Sequence, residues 1–180
     1  KYSGAYSGGT YDTKPFILMN YQNDIQSMFT LAHELGHSMH SRLTNATQPY
    51  VYSGYDIFVA EVASLVNETL LTDYLLKTIE EESFRLHVLD EAIERFRSTL
   101  FRQTMFADFE HQIHNVVESG RALTPDRFDE IYKNIKGEFY KPVEMDNYIK
   151  REWMRIPHFY YNYYVYQYAT GISAATSLAQ

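Results

Sequence analysis

The sequence predicts a mainly α fold, and three observations carry that prediction. Residues typical of helix starts and stops separate several long segments with helical spacing. One segment alone, residues 16–21 after Pro15, has the short apolar run of a strand. Apolar residues also recur at spacings of three and four through the segment 25–43, as along one helix face, and they are Ile25, Met28, Ala32, Leu35, Met39 and Leu43. We therefore expect residues 1–180 to form a single mainly helical unit with one short edge strand.

The predicted elements follow one another along the chain with short connections. Residues 1–13 are rich in glycine, serine and tyrosine, so we predict a loop that lies either near a ligand or on the plain surface. The first helix is expected to begin at Asn23 or Asp24 and to end near Arg42, before a loop over 44–55. The later predicted helices are 57–78 after Asp56, 80–118 before Gly120, 125–137 after Thr124, 144–153 between Pro142 and Pro157, and 162–180.

Composition excludes several classes of protein. A formal net charge of −7 argues against a nucleic-acid surface, which needs clustered lysine and arginine. The absence of cysteine excludes disulfides and thiolate metal ligands, and it fits a reducing compartment. No apolar run reaches the roughly 20 residues of a membrane span and no signal peptide is visible, so we expect a cytoplasmic protein. The chain begins at Lys1 without a methionine, and we expect it to be an excerpt from a longer protein.

The most specific motif is HELGH, formed by residues 33–37 in the middle of the first predicted helix. His33 and His37 are four residues apart, so their imidazoles share one helix face and can bind one zinc ion. Glu34 between them can then act as the general base toward a water molecule that the metal activates. The pattern predicts a zinc hydrolase.

A catalytic zinc usually has three protein ligands, so a third must come from elsewhere in the chain. Glu61 is the best candidate, because it is an acid among apolar residues near the start of the second helix. The alternative is that Glu61 is an ordinary helix acid. Glu68, seven residues on, lies on the same helix face and could hydrogen-bond to a zinc-bound imidazole. Asp56 is a weaker candidate for that role, since helix capping already explains it.

HELGH, followed by AEVAS with Glu61 28 positions after His33, resembles the thimet-oligopeptidase-like zinc metallopeptidases. GAYSGGTYDTKPFILMNY upstream and IPHFYYNYYVYQYATG downstream are similar to the C-terminal catalytic part of the oligoendopeptidase F branch of that family. The resemblance implies a zincin-like helical catalytic domain and an endopeptidase that hydrolyses oligopeptides. It also implies that His33, His37 and Glu61 bind one zinc ion and that Glu34 is the base. In that family the peptide lies in a deep channel, most of whose walls are absent from 180 residues, so this piece can be inactive in isolation.

The downstream motif places six tyrosines within nine residues after His158. A tetrahedral oxyanion needs a hydrogen-bond donor besides the metal, and by resemblance we assign that role to His158, Tyr163 and Tyr166. Tyr163 and Tyr166 are three apart and are expected to share a helix face. The glycine-rich connection of thimet oligopeptidase is shorter here, so the remaining substrate contact could be Tyr160 or Tyr161. For most of the six tyrosines, helix packing is a sufficient explanation.

The other histidines receive no catalytic role. His40 lies on the zinc helix and is expected to support its neighbours by hydrogen bonding, whereas His87 is expected on the surface. His111 and His114 have a spacing that could bind metal. They lack an acid like the glutamate that follows the first histidine of HELGH, so we interpret them as structural or cleft-lining.

Two other functions agree with the same residues. A metallo-carboxypeptidase would need a cation for the substrate's terminal carboxylate, and Arg155 is the nearest candidate. A non-catalytic module that binds peptide or metal would have no need of Glu34. The sequence predicts neither the cleavage-site preference nor the oligomeric state.

Overall fold

The computed structural model describes residues 4–179, and helices account for most of them. The mainly α fold class that the sequence predicts is confirmed. Among these residues, no helix is both long enough and apolar enough to cross a bilayer. The α-helices are α1 Ile25–Thr47, α2 Ile57–Thr78, α3 Glu82–Arg95, α4 Arg102–Glu118, α5 Pro125–Phe139 and α6 Tyr166–Leu178.

The chain divides into two compact units. The first unit contains the residues up to Phe96 together with those from Thr170 onward, and the second unit is Arg97–Ala169. In the first unit, Phe29 of α1, Leu75 of α2 and Val88 of α3 form a buried cluster. Burial of such side chains is the main stabilising contribution to packing of this kind.

A small antiparallel sheet precedes α1. Its strands are β1, Ala5–Gly8, and β2, Phe16–Met19. The expected loop over 1–13 is therefore wrong at Ala5–Gly8, while residues 1–3 lie outside the described residues. Glycine and serine weaken the strand signal of β1, but pairing with the apolar β2 satisfies its backbone hydrogen bonds. The Ser7 and Ser38 hydroxyls are 2.8 Å apart and join β1 to α1.

Helix α1 begins as the sequence predicts but differs in its length and its buried face. The Asp24 carboxylate accepts a hydrogen bond from the Ser27 N–H at 2.7 Å, which is a side-chain N-cap. The helix continues to Thr47, five residues beyond the predicted end at Arg42. The predicted helix is present, but the last three residues of the apolar stripe are exposed in it; they are Leu35, Met39 and Leu43.

The buried face of α1 instead meets α2 at a glycine. A Cβ atom at Gly36 would lie 2.6 Å from the Ser64 Cα and 3.0 Å from the Ala63 carbonyl oxygen. Both atoms belong to the α2 backbone, which cannot rotate away as a side chain can. Gly36 therefore allows α1 and α2 to approach closely where they carry the predicted metal ligands.

We expect Gly36→Ala to lower the free energy of unfolding by about 1–3 kcal/mol, the usual cost of overpacking. Gly137→Ala is the matched control, because a Cβ atom at this helical glycine meets nothing within 4 Å. That variant should be more stable than the parent by about 0.5–1 kcal/mol, because alanine loses less backbone entropy than glycine. Urea unfolding of both variants measures the contrast, and equal stabilities would contradict the close crossing.

The region predicted as one helix over 80–118 contains a change of helix type. Helix α3 ends at Arg95, residues Phe96–Phe101 form a π-helical segment, and α4 begins at Arg102. The predicted helical region is present, but the sequence analysis did not predict the π-helical segment within it. No glycine or proline marks the change in the sequence, so pattern reasoning had no signal for it.

The second unit has its own aromatic core, and its helix boundaries differ from the prediction in two places. Met105, Phe106 and Phe109 of α4 pack with Tyr132 and Ile135 of α5. A 3₁₀-helix, Ile149–Arg155, takes the place of the α-helix predicted over 144–153. The last helix begins at Tyr166 rather than at 162, since Tyr163 has a φ of +51°, which a right-handed helix cannot accommodate.

One carboxylate of the second unit receives several hydrogen bonds. Glu152 accepts from Arg102 at 2.8 Å, from the Tyr132 hydroxyl at 2.8 Å, from Arg155 at 2.7 Å and from Lys136. Burial alone would raise the pKa of Glu152, but the hydrogen bonds from Lys136 and Tyr132 and the nearby positive charges lower it to about 2. These contacts link α4, α5 and the 3₁₀-helix.

Replacing Glu152 with glutamine should lower the free energy of unfolding at pH 7 by about 3 kcal/mol, because the buried Lys136 ammonium and the partly buried Arg102 guanidinium lose their anionic partner. The pKa is lower in the folded state than the ordinary 4.5, so this contribution is complete above pH 4.5. It should decrease as the pH falls from 4.5 toward 2. Urea unfolding at pH 7 and pH 3 measures the trend.

Glu138→Gln is the control, since the Glu138–Lys141 pair is exposed and should contribute less than about 1 kcal/mol. An equal loss in both variants, or a loss for Glu152→Gln that grows as the pH falls, would contradict the role of the Glu152 cluster.

Candidate active site

Two histidines of α1 bring ring nitrogens together on one face of the helix. The Nε2 atoms of His33 and His37 are 3.1 Å apart, and their ring planes are nearly perpendicular, with centroids 4.7 Å apart. The spacing of four residues places them on consecutive turns.

Glu61 on α2 supplies a carboxylate to the same place. Its Oε2 atom is 3.7 Å from His33 Nε2, and ligand atoms of His33, His37 and Glu61 all lie within 4.8 Å of one another. Tetrahedral zinc with bonds of about 2.0–2.2 Å needs ligand atoms roughly 3.3–3.6 Å apart. Two imidazole nitrogens and one carboxylate oxygen are also the donor types of many catalytic zinc sites. The group therefore fits a metal ion in chemistry, and the two separations measured from His33 Nε2, 3.1 Å to His37 and 3.7 Å to Glu61, are close to the tetrahedral spacing.

Glu68 lies two helical turns after Glu61 on α2, next to the Nδ1 atom of His33. Its Oε1 atom is 2.6 Å from His33 Nδ1. When Nδ1–H donates this hydrogen bond to the Glu68 oxygen, the lone pair of Nε2 is left on the side of His37 and Glu61. The predicted contact between Glu68 and an imidazole is present in the geometry.

The protonation of the two histidines differs with their neighbours. Burial, followed by the charge of His33, lowers the pKa of His37 to about 4, so this ring is neutral at pH 7 and can offer a lone pair. Burial also lowers the pKa of His33, but the hydrogen bond and charge of Glu68 outweigh it, and the net pKa is raised. Burial raises the pKa of Glu61, the charge of His33 partly offsets that rise, and the negative charges of Glu68 and Glu34 add to it.

Glu34 is buried beside this group, with 7% of its surface exposed. It follows His33 directly, and its charge acts on both His33 and Glu61. It is not one of the three residues whose ligand atoms converge. A carboxylate in this position has the chemistry of a general base.

The second unit contains His158 among tyrosine rings. His158 stacks on Tyr164 with centroids 5.5 Å apart, and Tyr168 meets it edge-on at 6.1 Å. The Tyr164 and Tyr168 hydroxyls are 3.0 Å apart. Tyr160 is 88% exposed, whereas Tyr161 also packs against Tyr164. Both predicted substrate contacts therefore have exposed rings, and the choice between them stays open.

Tyr163 and Tyr166 do not share a helix face, which corrects the prediction. Tyr163 precedes α6 in a left-handed backbone conformation, and Tyr166 is the first residue of α6. The Tyr163 N–H donates to the buried Glu110 carboxylate at 2.8 Å, and the Tyr163 ring lies 4.5 Å from the ring of His114. Burial raises the pKa of Glu110. These contacts fix the strained residue in place.

The residues that the sequence analysis gave a weak role or none make contacts of other kinds. The His40 ring stacks on Tyr55 with centroids 4.0 Å apart, and its Nδ1 atom has no hydrogen-bond partner among the described residues. Asp56 precedes α2, but its side chain makes no capping hydrogen bond, so capping does not explain it. His111 bonds to Asn115, and the exposed Arg155 pairs with Glu152.

Sequence reasoning missed Arg95, whose Nε atom is 2.8 Å from Glu68 Oε2. It also missed Glu110 as the partner of Tyr163. Both contacts join residues far apart in the chain or on separate elements, and no local spacing signals them.

Comparison with known proteins gives consistent matches over nearly the whole chain. The family whose sequence profile matches residues 1–180 is described as peptidase family M3. Oligopeptidase PepF of Bacillus subtilis is 53% identical over 180 residues, which are 99% of this chain and 27% of that protein. The oligoendopeptidase F homolog of Lactococcus lactis is 50% identical over 181 residues, which are 100% of this chain and 30% of that protein.

Solved structures match as well. A peptidase structure from Chlamydophila abortus has a TM-score of 0.85 and 46% identity, over 98% of this chain and 30% of that one. The oligoendopeptidase-F structure from Enterococcus faecium has a TM-score of 0.73 and 47% identity, over 86% of this chain and 28% of that one. The chain thus spans less than a third of the length of these relatives.

Proposed function

Because this chain belongs to peptidase family M3, we propose that it carries the catalytic site of a zinc-dependent endopeptidase that hydrolyses internal bonds of oligopeptides. The observation that carries the proposal is the convergence of His33, His37 and Glu61, with Glu34 beside them on α1. The names of the relatives, oligopeptidase and oligoendopeptidase, support the substrate class.

The proposed ligands of one zinc ion are His33, His37 and Glu61. Zinc held there would supply Lewis-acid polarisation of a peptide carbonyl and would make a water molecule more acidic. Glu34 takes the proton from the attacking water and delivers it to the leaving amine. Glu68 keeps the His33 ring oriented through its 2.6 Å contact with Nδ1.

The negative oxygen that develops in the transition state needs hydrogen-bond donors. We assign this role to His158, Tyr163 and Tyr166, as the family resemblance implies. Tyr164 and Tyr168 hold the His158 ring by stacking and edge contacts, so they support it rather than contact substrate. The exposed rings of Tyr160 and Tyr161 are the proposed further contacts with the peptide.

A backbone contact with substrate is also part of the proposal. The two-stranded sheet is joined to α1 by the Ser7–Ser38 hydrogen bond, one residue from His37. A strand at the edge of a sheet can accept an extended peptide by main-chain hydrogen bonds. This mode binds peptides of many sequences, as an oligopeptidase requires.

Turnover of an internally quenched fluorescent oligopeptide by the complete protein tests the proposed function. We expect hydrolysis that a chelator abolishes and added zinc restores. Peptides with blocked and free C-termini should both be cleaved, because Arg155, the candidate for holding a terminal carboxylate, is paired with Glu152. Cleavage of free C-termini alone would indicate a carboxypeptidase, and zinc binding without hydrolysis would indicate a binding module.

A further inference from the structure

We propose that Arg95 is a positioning residue for the metal centre, which acts through Glu68 to orient His33. This inference rests on the proposed function, since it assigns a role toward the same zinc site. The Glu68 carboxylate has two donors on its two oxygens: His33 Nδ1 is 2.6 Å from Oε1, and Arg95 Nε is 2.8 Å from Oε2. Glu68 thus joins the guanidinium directly to a proposed ligand.

Arg95 is itself held by α1 and α2. Its guanidinium carbon lies 4.7 Å from the centre of the Phe29 ring, and Phe29 is one turn before His33 on α1. Its terminal nitrogens are 3.4 and 3.5 Å from the Thr72 hydroxyl, one turn after Glu68 on α2. The Arg95 side chain is 13% exposed. Contacts on both helices therefore fix the guanidinium relative to His33 and Glu68.

The negative charges near Glu68 explain why a cation lies beside it. Glu34, Glu61 and Glu68 each have less than a tenth of their surface exposed, and their negative charges repel one another. A buried carboxylate is stable in a folded protein when a cation or hydrogen-bond donors pair with it. A rotated Glu68 could no longer orient His33 in the same way. The Arg95 guanidinium, 2.8 Å from Glu68 Oε2, holds this carboxylate in place.

Arginine suits this position better than lysine. The planar guanidinium can donate to Glu68 and Thr72 in different directions while it stacks on the Phe29 ring. A lysine ammonium keeps the charge but cannot make the same set of contacts. The structure therefore predicts that the planar group matters in addition to the charge.

The test is zinc affinity, measured on the complete metal-free protein by competition with a chromophoric chelator. Arg95→Met should weaken zinc binding by about 10–100-fold, the usual effect of losing an outer partner of a ligand. Arg95→Lys should give a smaller loss of at least threefold. In a Glu68→Gln background, Arg95→Met should add less than a threefold change, because its effect passes through Glu68.

Arg85→Met is the matched control. Arg85 is also a partly buried arginine of α3, but it donates to the carbonyls of Leu76 and Ile79 at the end of α2. Its loss should lower the unfolding midpoint while zinc affinity stays within twofold of the parent. A general loss of packing would instead change zinc affinity equally in Arg85→Met and Arg95→Met.

Zinc affinity within twofold of the parent in folded Arg95→Met would overturn the inference, as would an equal loss with and without Glu68→Gln. If Arg95→Met does not fold, Arg95→Lys decides: a loss of at least threefold supports the role, and a smaller change overturns it. A parent protein that binds zinc and cleaves peptide would leave the proposed function intact in either case. A parent that binds no zinc would instead remove the proposed function itself.

Discussion

Glu34→Gln is expected to slow peptide hydrolysis by about 10²–10⁴-fold without loss of zinc binding, because the variant loses the proposed general base. Glutamine has nearly the same shape as glutamate, so the buried position 34 should accept it without repacking. Its amide cannot take up a proton near neutral pH. The converging ligand atoms belong to His33, His37 and Glu61, so the metal group should remain.

The measurement compares kcat at saturating zinc with zinc content per protein chain. Glu138→Gln is the control for the chemical change itself, since Glu138 is exposed and pairs only at the surface with Lys141. That control should hydrolyse peptide at the parental rate. A Glu34→Gln protein with full zinc and a rate within threefold of the parent would show that another group is the base.

Glu61→Gln is expected to weaken zinc binding by more than 100-fold, and hydrolysis at limiting zinc should fall with it. The substitution replaces an anionic oxygen ligand with a neutral amide, at a position where the oxygen is 3.7 Å from His33 Nε2. Zinc ligands bind the metal in their deprotonated form, which for glutamate is the carboxylate. The loss should exceed the roughly 10–100-fold expected for Glu68→Gln, which removes an outer partner of His33.

Competition with a chelator measures both variants under the same conditions. The order of the two effects is the informative result, because both glutamates lie on α2 and are buried to the same degree. A larger loss for Glu68→Gln than for Glu61→Gln would exchange the two assignments. Parental zinc affinity in Glu61→Gln would remove Glu61 from the metal site.

Much of the fold and of the candidate metal site could be predicted because the signals are local. The spacing of His33 and His37 is a helical repeat, and the Asp24 cap follows from the residue type at the start of α1. Helix α2 has the predicted limits, although the Asp56 side chain makes no capping hydrogen bond. Glu61 could be predicted as the third ligand because an acid among apolar residues is unusual. The structure brings its ligand atom within 4.8 Å of those of both histidines.

What could not be predicted depends on contacts between distant residues. Strand β1 forms from a glycine- and serine-containing segment because β2 pairs with it. Tyr163 lies outside α6 in a left-handed conformation, and the partner of its N–H is Glu110, 53 residues earlier. The contact of Arg95 with Glu68 is likewise long-range, as is the close approach of Gly36 to Ser64.

The most direct test is anomalous diffraction at the zinc absorption edge, from crystals of the complete protein loaded with zinc. We predict one strong peak at about 2.0–2.2 Å from an imidazole nitrogen of His33, one of His37 and a carboxylate oxygen of Glu61. The Glu34 carboxylate should lie nearby without ligating the metal. A peak elsewhere, or a peak at the two histidines with Glu61 turned away, would contradict the proposed metal centre.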